Sequence, residues 1–90
     1  MFKRVRVVYS GRVQGVGFRF TVLKLAEGLG VTGWVKNFPD GKVEITVEGD
    51  ESKLHSFLGS VREHFENYIK GVDLSWLSAT GEFSGFNIRH

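Results

Sequence analysis

Between an alternating apolar segment and an amphipathic one lies GRVQGVGFRF, Gly11 to Phe20, with three glycines, two arginines and two phenylalanines in ten residues. A strand-to-helix loop rich in glycine can turn successive backbone amides toward one point and form an anion-binding nest. The positive end of the following helix, with its unpaired first-turn amides, strengthens such a site. Arg19 falls at the start of that helix and adds a permanently charged, planar fork suited to phosphate oxygens. Hydrogen bonds to a charged partner are worth roughly 1.5–3 kcal/mol each. The competing reading is a tight turn with Arg19 solvated, and residue types alone leave the two in balance.

Other phosphate motifs do not fit. No Gly-Lys-Ser/Thr closes the stretch, so it is not a Walker A loop. Gly15 and Gly17 give G-x-G, but Phe20 stands where a dinucleotide fingerprint needs its third glycine. GVGFRF has the aromatic flavour of an RNA-binding RNP1 strand. It falls between a strand and a helix, however, where Phe18 and Phe20 would not present bases with a stacking face. The remaining candidates are weaker. His55, His64 and His90 lack ligand spacing and read as surface residues. Glu48, Asp50 and Glu51 read as a solvated strand edge and helix cap. Arg4 and Arg6 read as solvated edge residues, and Phe57 and Phe65 as core. Asn37 precedes FPDG and, on its own, reads as a turn residue. With no cysteine in the chain, disulfides, thiolate metal sites and cysteine nucleophiles are excluded.

The elements that must position these residues follow from periodicity. Val5, Val7 and Tyr9 alternate with Arg4, Arg6 and Ser10, which predicts a strand over Lys3–Ser10. Val22, Leu25, Ala26 and Leu29 form a helical stripe closed by Gly30. VTGWVKN predicts a second strand, the Phe38–Gly41 turn a hairpin, and Lys42–Glu48 a third strand with Val43, Ile45 and Val47 inward. Asp50 is placed to cap a second helix with the stripe Leu54, Phe57, Leu58, Val61 and Phe65. VDLSWL and FNIRH read as closing strands around the turn-rich SATGEFSG. The order β-α-β-β-α-β predicts an α+β ferredoxin-like sandwich, a mainly antiparallel sheet with both helices on one face. Residues 1–90 form one domain. A net charge of +2 suits an anionic ligand but is too small to argue for nucleic acid. No apolar run approaches the ~20 residues of a membrane span, and no leader is evident, so the cytoplasm is expected.

GRVQGVGFR, followed eighteen residues after its arginine by Asn37 in GWVKN, resembles the acylphosphatase family. The order of elements, the Pro-Asp-Gly turn, EGD before the second helix and the closing GF-I pattern carry the resemblance along essentially the whole chain. One departure is HFENYIKGVD, which lacks the glycine-proline pair many members carry there, and Pro39 is the only proline. The resemblance implies hydrolysis of acyl phosphates to a carboxylate and inorganic phosphate, with no cofactor and no metal. It implies that the backbone of Gln14, Gly15, Val16, Gly17, Phe18 and Arg19 cradles the phosphate. Arg19 would bind it and Asn37 would hold the attacking water. The expected partners are a small acyl phosphate and inorganic phosphate as product and competitive inhibitor, with the chain a monomer. The alternative is a non-catalytic anion- or RNA-binding module of the same fold.

That chemistry needs few groups. The leaving carboxylate has a conjugate acid of pKa about 4 and departs unprotonated. Charge in phosphoryl transfer spreads over the equatorial oxygens, so positioning and electrostatics carry the catalysis. Water then needs aiming more than deprotonating, and a side-chain amide aims without titrating.

Overall fold

The alternating N-terminal segment does form a strand. In the computed structural model, which describes all 90 residues, β1 runs Phe2–Gly11 with Val5, Val7 and Tyr9 buried. It is followed by α1 (Phe18–Leu29), β2 (Thr32–Asn37), β3 (Val43–Asp50), α2 (Glu51–Phe65), β4 (Ile69–Ser78) and β5 (Phe86–Arg89). The sheet order is β4-β1-β3-β2-β5. All pairings are antiparallel except the last, in which β5 lies parallel to β2 with Lys36 opposite Arg89. The predicted architecture is therefore present, with a fifth strand added at the β2 edge.

Both helices pack on one face. Their stripes supply Phe18, Val22, Ala26, Leu54, Phe57, Val61 and Phe65 to a core completed by the inward valines and Ile45 of the sheet. Phe18 is edge-on to Tyr9 at 5.4 Å and 4.6 Å from Phe65 between ring centroids, which pins the start of α1 to the sheet. Burial pushes the Tyr9 hydroxyl up to about 12. Gly30 ends α1 in the left-handed conformation, as the sequence predicts. Asp50 stands at the N-cap of α2 but makes no capping bond there, taking the Met1 ammonium at 3.3 Å instead. None of the helices is long and apolar enough to cross a membrane.

The other face of the sheet corrects the reading of its charges. β1 is an interior strand rather than an edge, and Arg4 and Arg6 are paired on it with Glu48 and Glu44. Glu48 is 2% exposed rather than solvated. The segment joining β4 to β5 crosses over it, and Glu48 accepts hydrogen bonds from the Thr80 and Gly81 N–H groups, the Thr80 hydroxyl and Arg4. This clamp fixes the crossing that delivers β5 to the far edge. Tyr68 closes the short turn after α2 and accepts from Arg12 N–H at 2.9 Å, so the proline-free segment is tight and tied to the root of the glycine loop.

Candidate active site

The glycine loop leaves β1 at a register shift after Ser10 and enters α1 through Gly17. Gly15 and Gly17 have φ of 75° and 77°. A side chain there would cost roughly 1–2 kcal/mol in backbone strain, and glycine lets consecutive peptide units turn. The turn leaves its donors free. Arg12 N–H donates to Tyr68 and Thr21 N–H opens the helix on Gly17, but the backbone N–H groups from Val13 to Phe20 find no acceptor within the chain. The first turn of α1 contains no acidic residue and no side-chain cap. The positive helix end therefore faces outward uncompensated.

Residues of this loop line a cavity of about 280 Å³, with Gln14, Gly15, Gly17, Phe18, Arg19 and Asn37 in its wall. Arg4 and Arg6 are consumed in ion pairs, whereas Arg19 enters none and keeps its donors for the cavity. Asn37, the last residue of β2, presents a buried Oδ1 without a hydrogen-bond partner. An unpaired buried acceptor is costly, and a donor arriving in the cavity would relieve that cost.

Gln14 joins the two halves of the site. Its Nε2 donates to the carbonyls of Phe38 at 2.8 Å and Lys42 at 3.0 Å, which fastens the loop to the hairpin that carries Asn37. The hairpin is itself closed by Phe38 N–H to Lys42 and by Asp40 accepting from Lys42 N–H. The side chain of Val16 packs against the core, leaving only its backbone to the loop.

Of the residues singled out in the loop, Gln14, Gly15, Gly17, Phe18 and Arg19 line this cavity with Asn37, the Phe18 ring being buried in the core, whereas Val16 does not line it. Ile88 and His90 also line the cavity, at the end of β5. Sequence reasoning did not find them, because the parallel β2–β5 register that carries them there leaves no local signal. Phe18 is core and Phe20 sits on α1, so neither offers an aromatic on the sheet, and the RNP1 reading is set aside.

Comparison with known proteins gives the family. The sequence model of the family described as Acylphosphatase matches residues 5–88. An acylphosphatase of Methylococcus capsulatus is 41% identical over 87 residues, covering 96% of this chain and 95% of its own. The acylphosphatase structure from Bacillus subtilis superposes with a TM-score of 0.89 at 35% identity over the full length of both chains. That from Coxiella burnetii gives 0.85 at 31% identity, covering 98% of this chain and 93% of its own. The chain belongs to the acylphosphatase family, as an enzyme of acyl phosphate hydrolysis.

Proposed function

We propose that the cavity between the Gln14–Arg19 loop and Asn37 is where hydrolysis takes place, and that the reaction proceeds without a metal. The observation that carries this reading is one cavity lined by residues of a loop whose amides from Val13 to Phe20 are unpartnered, by an unpaired Arg19 and by Asn37, whose buried Oδ1 has no partner. The amides and the guanidinium bind the phosphoryl oxygens. They neutralise charge as the bond between phosphorus and the bridging oxygen breaks. The electron pair of that bond leaves with the carboxylate, which needs no proton. Asn37 accepts a hydrogen bond from the water whose oxygen forms the new bond to phosphorus. The water's surplus proton passes to the phosphate product or to solvent.

The donors that do this are fixed before substrate arrives, since Gln14 holds loop and hairpin together. Such preorganisation is what electrostatic catalysis requires. One chain carries the whole site, so the proposed catalytic unit is a single chain. Inorganic phosphate offers the same oxygens as the transferred group and should compete with substrate. The proposed setting is the cytoplasm, which fractionation of source cells tests.

Benzoyl phosphate hydrolysis with and without a chelator is the deciding experiment, on the wild type, Arg19→Ala and Asn37→Ala. Chelator-resistant turnover that falls on the order of 10²-fold or more in each folded variant is expected. Turnover abolished by chelator, or a folded Arg19→Ala at wild-type rate, would refute the assignment.

A further inference from the structure

An acyl phosphate has two halves, and the loop, Arg19 and Asn37 answer to only one of them. The cavity they share has four apolar residues in its wall, Val13, Phe18, Phe20 and Ile88. Val13 and Phe18 are 0% and 2% exposed and present almost no surface to a ligand. Ile88 is half-buried against the core. Phe20 differs from all three, being 60% exposed. It stands off the buried stripe of α1, which is Phe18, Val22 and Ala26. Its ring is met by Lys24, whose Nζ lies 5.4 Å from the centroid. Packing therefore does not account for a phenylalanine at this position. The other exposed large apolar residues lie at the N-terminus, in β4 and in the turn before it, and none of them lines the cavity.

In-line displacement sets the entering and leaving oxygens on opposite sides of phosphorus. With the water held by Asn37 at the end of β2, the carboxylate departs away from that strand. Ile88 and His90 belong to the β5 end of the chain, and β5 pairs with β2 so that Arg89 lies opposite Lys36. These two residues therefore stand beside Asn37, on the side from which water enters. Phe20 belongs to α1 and follows Arg19, whose guanidinium binds the phosphoryl oxygens. Its ring is the apolar surface left for the acyl group to meet.

We propose that Phe20 is a specificity-determining residue, its ring packing against an aromatic acyl group of the substrate. The inference rests on the assignment of the phosphate to the Gln14–Arg19 loop and of the water to Asn37. An aromatic ring gains from an offset or edge-on aromatic partner beyond the area the two bury. Phe20 therefore favours an acyl phosphate bearing a ring over one bearing a short alkyl group. The ring of such a substrate is remote from the bond that breaks, so its contact with Phe20 is the same before the reaction and in the transition state. Binding of that kind lowers KM and leaves kcat as it is. Inorganic phosphate has no acyl half, and its affinity is independent of Phe20.

Steady-state kinetics on benzoyl phosphate and acetyl phosphate test this, since the two share the phosphoryl group and differ by a ring against a methyl. The ratio of their kcat/KM values, benzoyl over acetyl, should fall about fivefold in Phe20→Ala, the scale of one aromatic contact. The fall should come through the KM for benzoyl phosphate, and Phe20→Tyr, which keeps the ring, should restore the ratio. Inhibition by inorganic phosphate should be the same in all three proteins. An unchanged ratio in a folded Phe20→Ala overturns the proposal. So does an equal loss on both substrates accompanied by weaker phosphate inhibition, which would mean that Phe20 shapes the loop instead. Arg19→Ala separates the two levels of the argument. Turnover of both substrates that survives in it overturns the site assignment and this inference together, whereas turnover lost in Arg19→Ala with an unchanged ratio in Phe20→Ala overturns this inference alone.

Discussion

Arg19 and Asn37 meet the same cavity with opposite polarity, one all donor and one presenting an acceptor, and their substitutions should separate accordingly. Arg19→Lys keeps the charge but loses the planar fork. Its kcat/KM for benzoyl phosphate should fall on the order of 10²-fold, and a wild-type value would show that charge alone suffices. Asn37→Asp puts a carboxylate beside the phosphoryl group and should be slower than Asn37→Ala, a ranking that steady-state kinetics at fixed pH decides. Gln14 is a positioning residue. The Phe38 and Lys42 carbonyls keep backbone donors from Gly41 and Phe38 when Gln14 is removed. Gln14→Ala should therefore cost only about 1–2 kcal/mol in denaturant unfolding. It should lower kcat more than it raises KM for phosphate-bearing ligands, because the cradle persists while its aim toward Asn37 loosens. At this scale the sequence was most legible for Arg19 and the glycines, whose chemistry is local. It was least legible for Ile88 and His90, which reach the cavity only through the pairing of distant strands.

Among the elements, the segment crossing from β4 to β5 depends most on one side chain. Burial opposes ionisation of Glu48, but the N–H groups of Thr80 and Gly81, the Thr80 hydroxyl and Arg4 outweigh it and hold the carboxyl below its ordinary 4.5. A carboxyl depressed in the folded state contributes in full above its unfolded value and loses that contribution as pH falls through the lower folded one. Stability should therefore decline below about pH 4.5, and Glu48→Gln should flatten that decline while costing on the order of 3 kcal/mol at neutral pH. Chemical unfolding of both proteins between pH 3 and pH 7 (a range bracketing ordinary carboxyl titration) checks the sign; parallel pH profiles would count against the clamp. Alternation identified the outward facing of Glu44, Thr46 and Glu48 correctly. It could not show that Glu48 is covered, because its cover comes from Thr80 and Gly81, a segment some thirty residues later with no period of its own.

The molecule as a whole keeps its chemistry at one end of the sheet and its free edge elsewhere. Turnover per chain should accordingly stay constant from nanomolar to micromolar enzyme; a rate that climbs with enzyme concentration would mean the site is completed between chains. The layered architecture was readable from length, two apolar stripes and two alternating runs, since a one-faced helix and a one-faced sheet have few ways to cover each other. The fifth strand's parallel partner was not, since a four-residue strand carries too little pattern to reveal its neighbour. Finally, the donor groups left without acceptors in the Val13–Phe20 segment mark it for isotopic labelling. In deuterated water these amides should exchange early, while those of β1, β3 and β2 are held in the ladder. Added phosphate should then slow exchange in that short stretch of an otherwise unchanged pattern, so that occupancy of the cradle can be followed peptide by peptide in an enzyme that is not turning over.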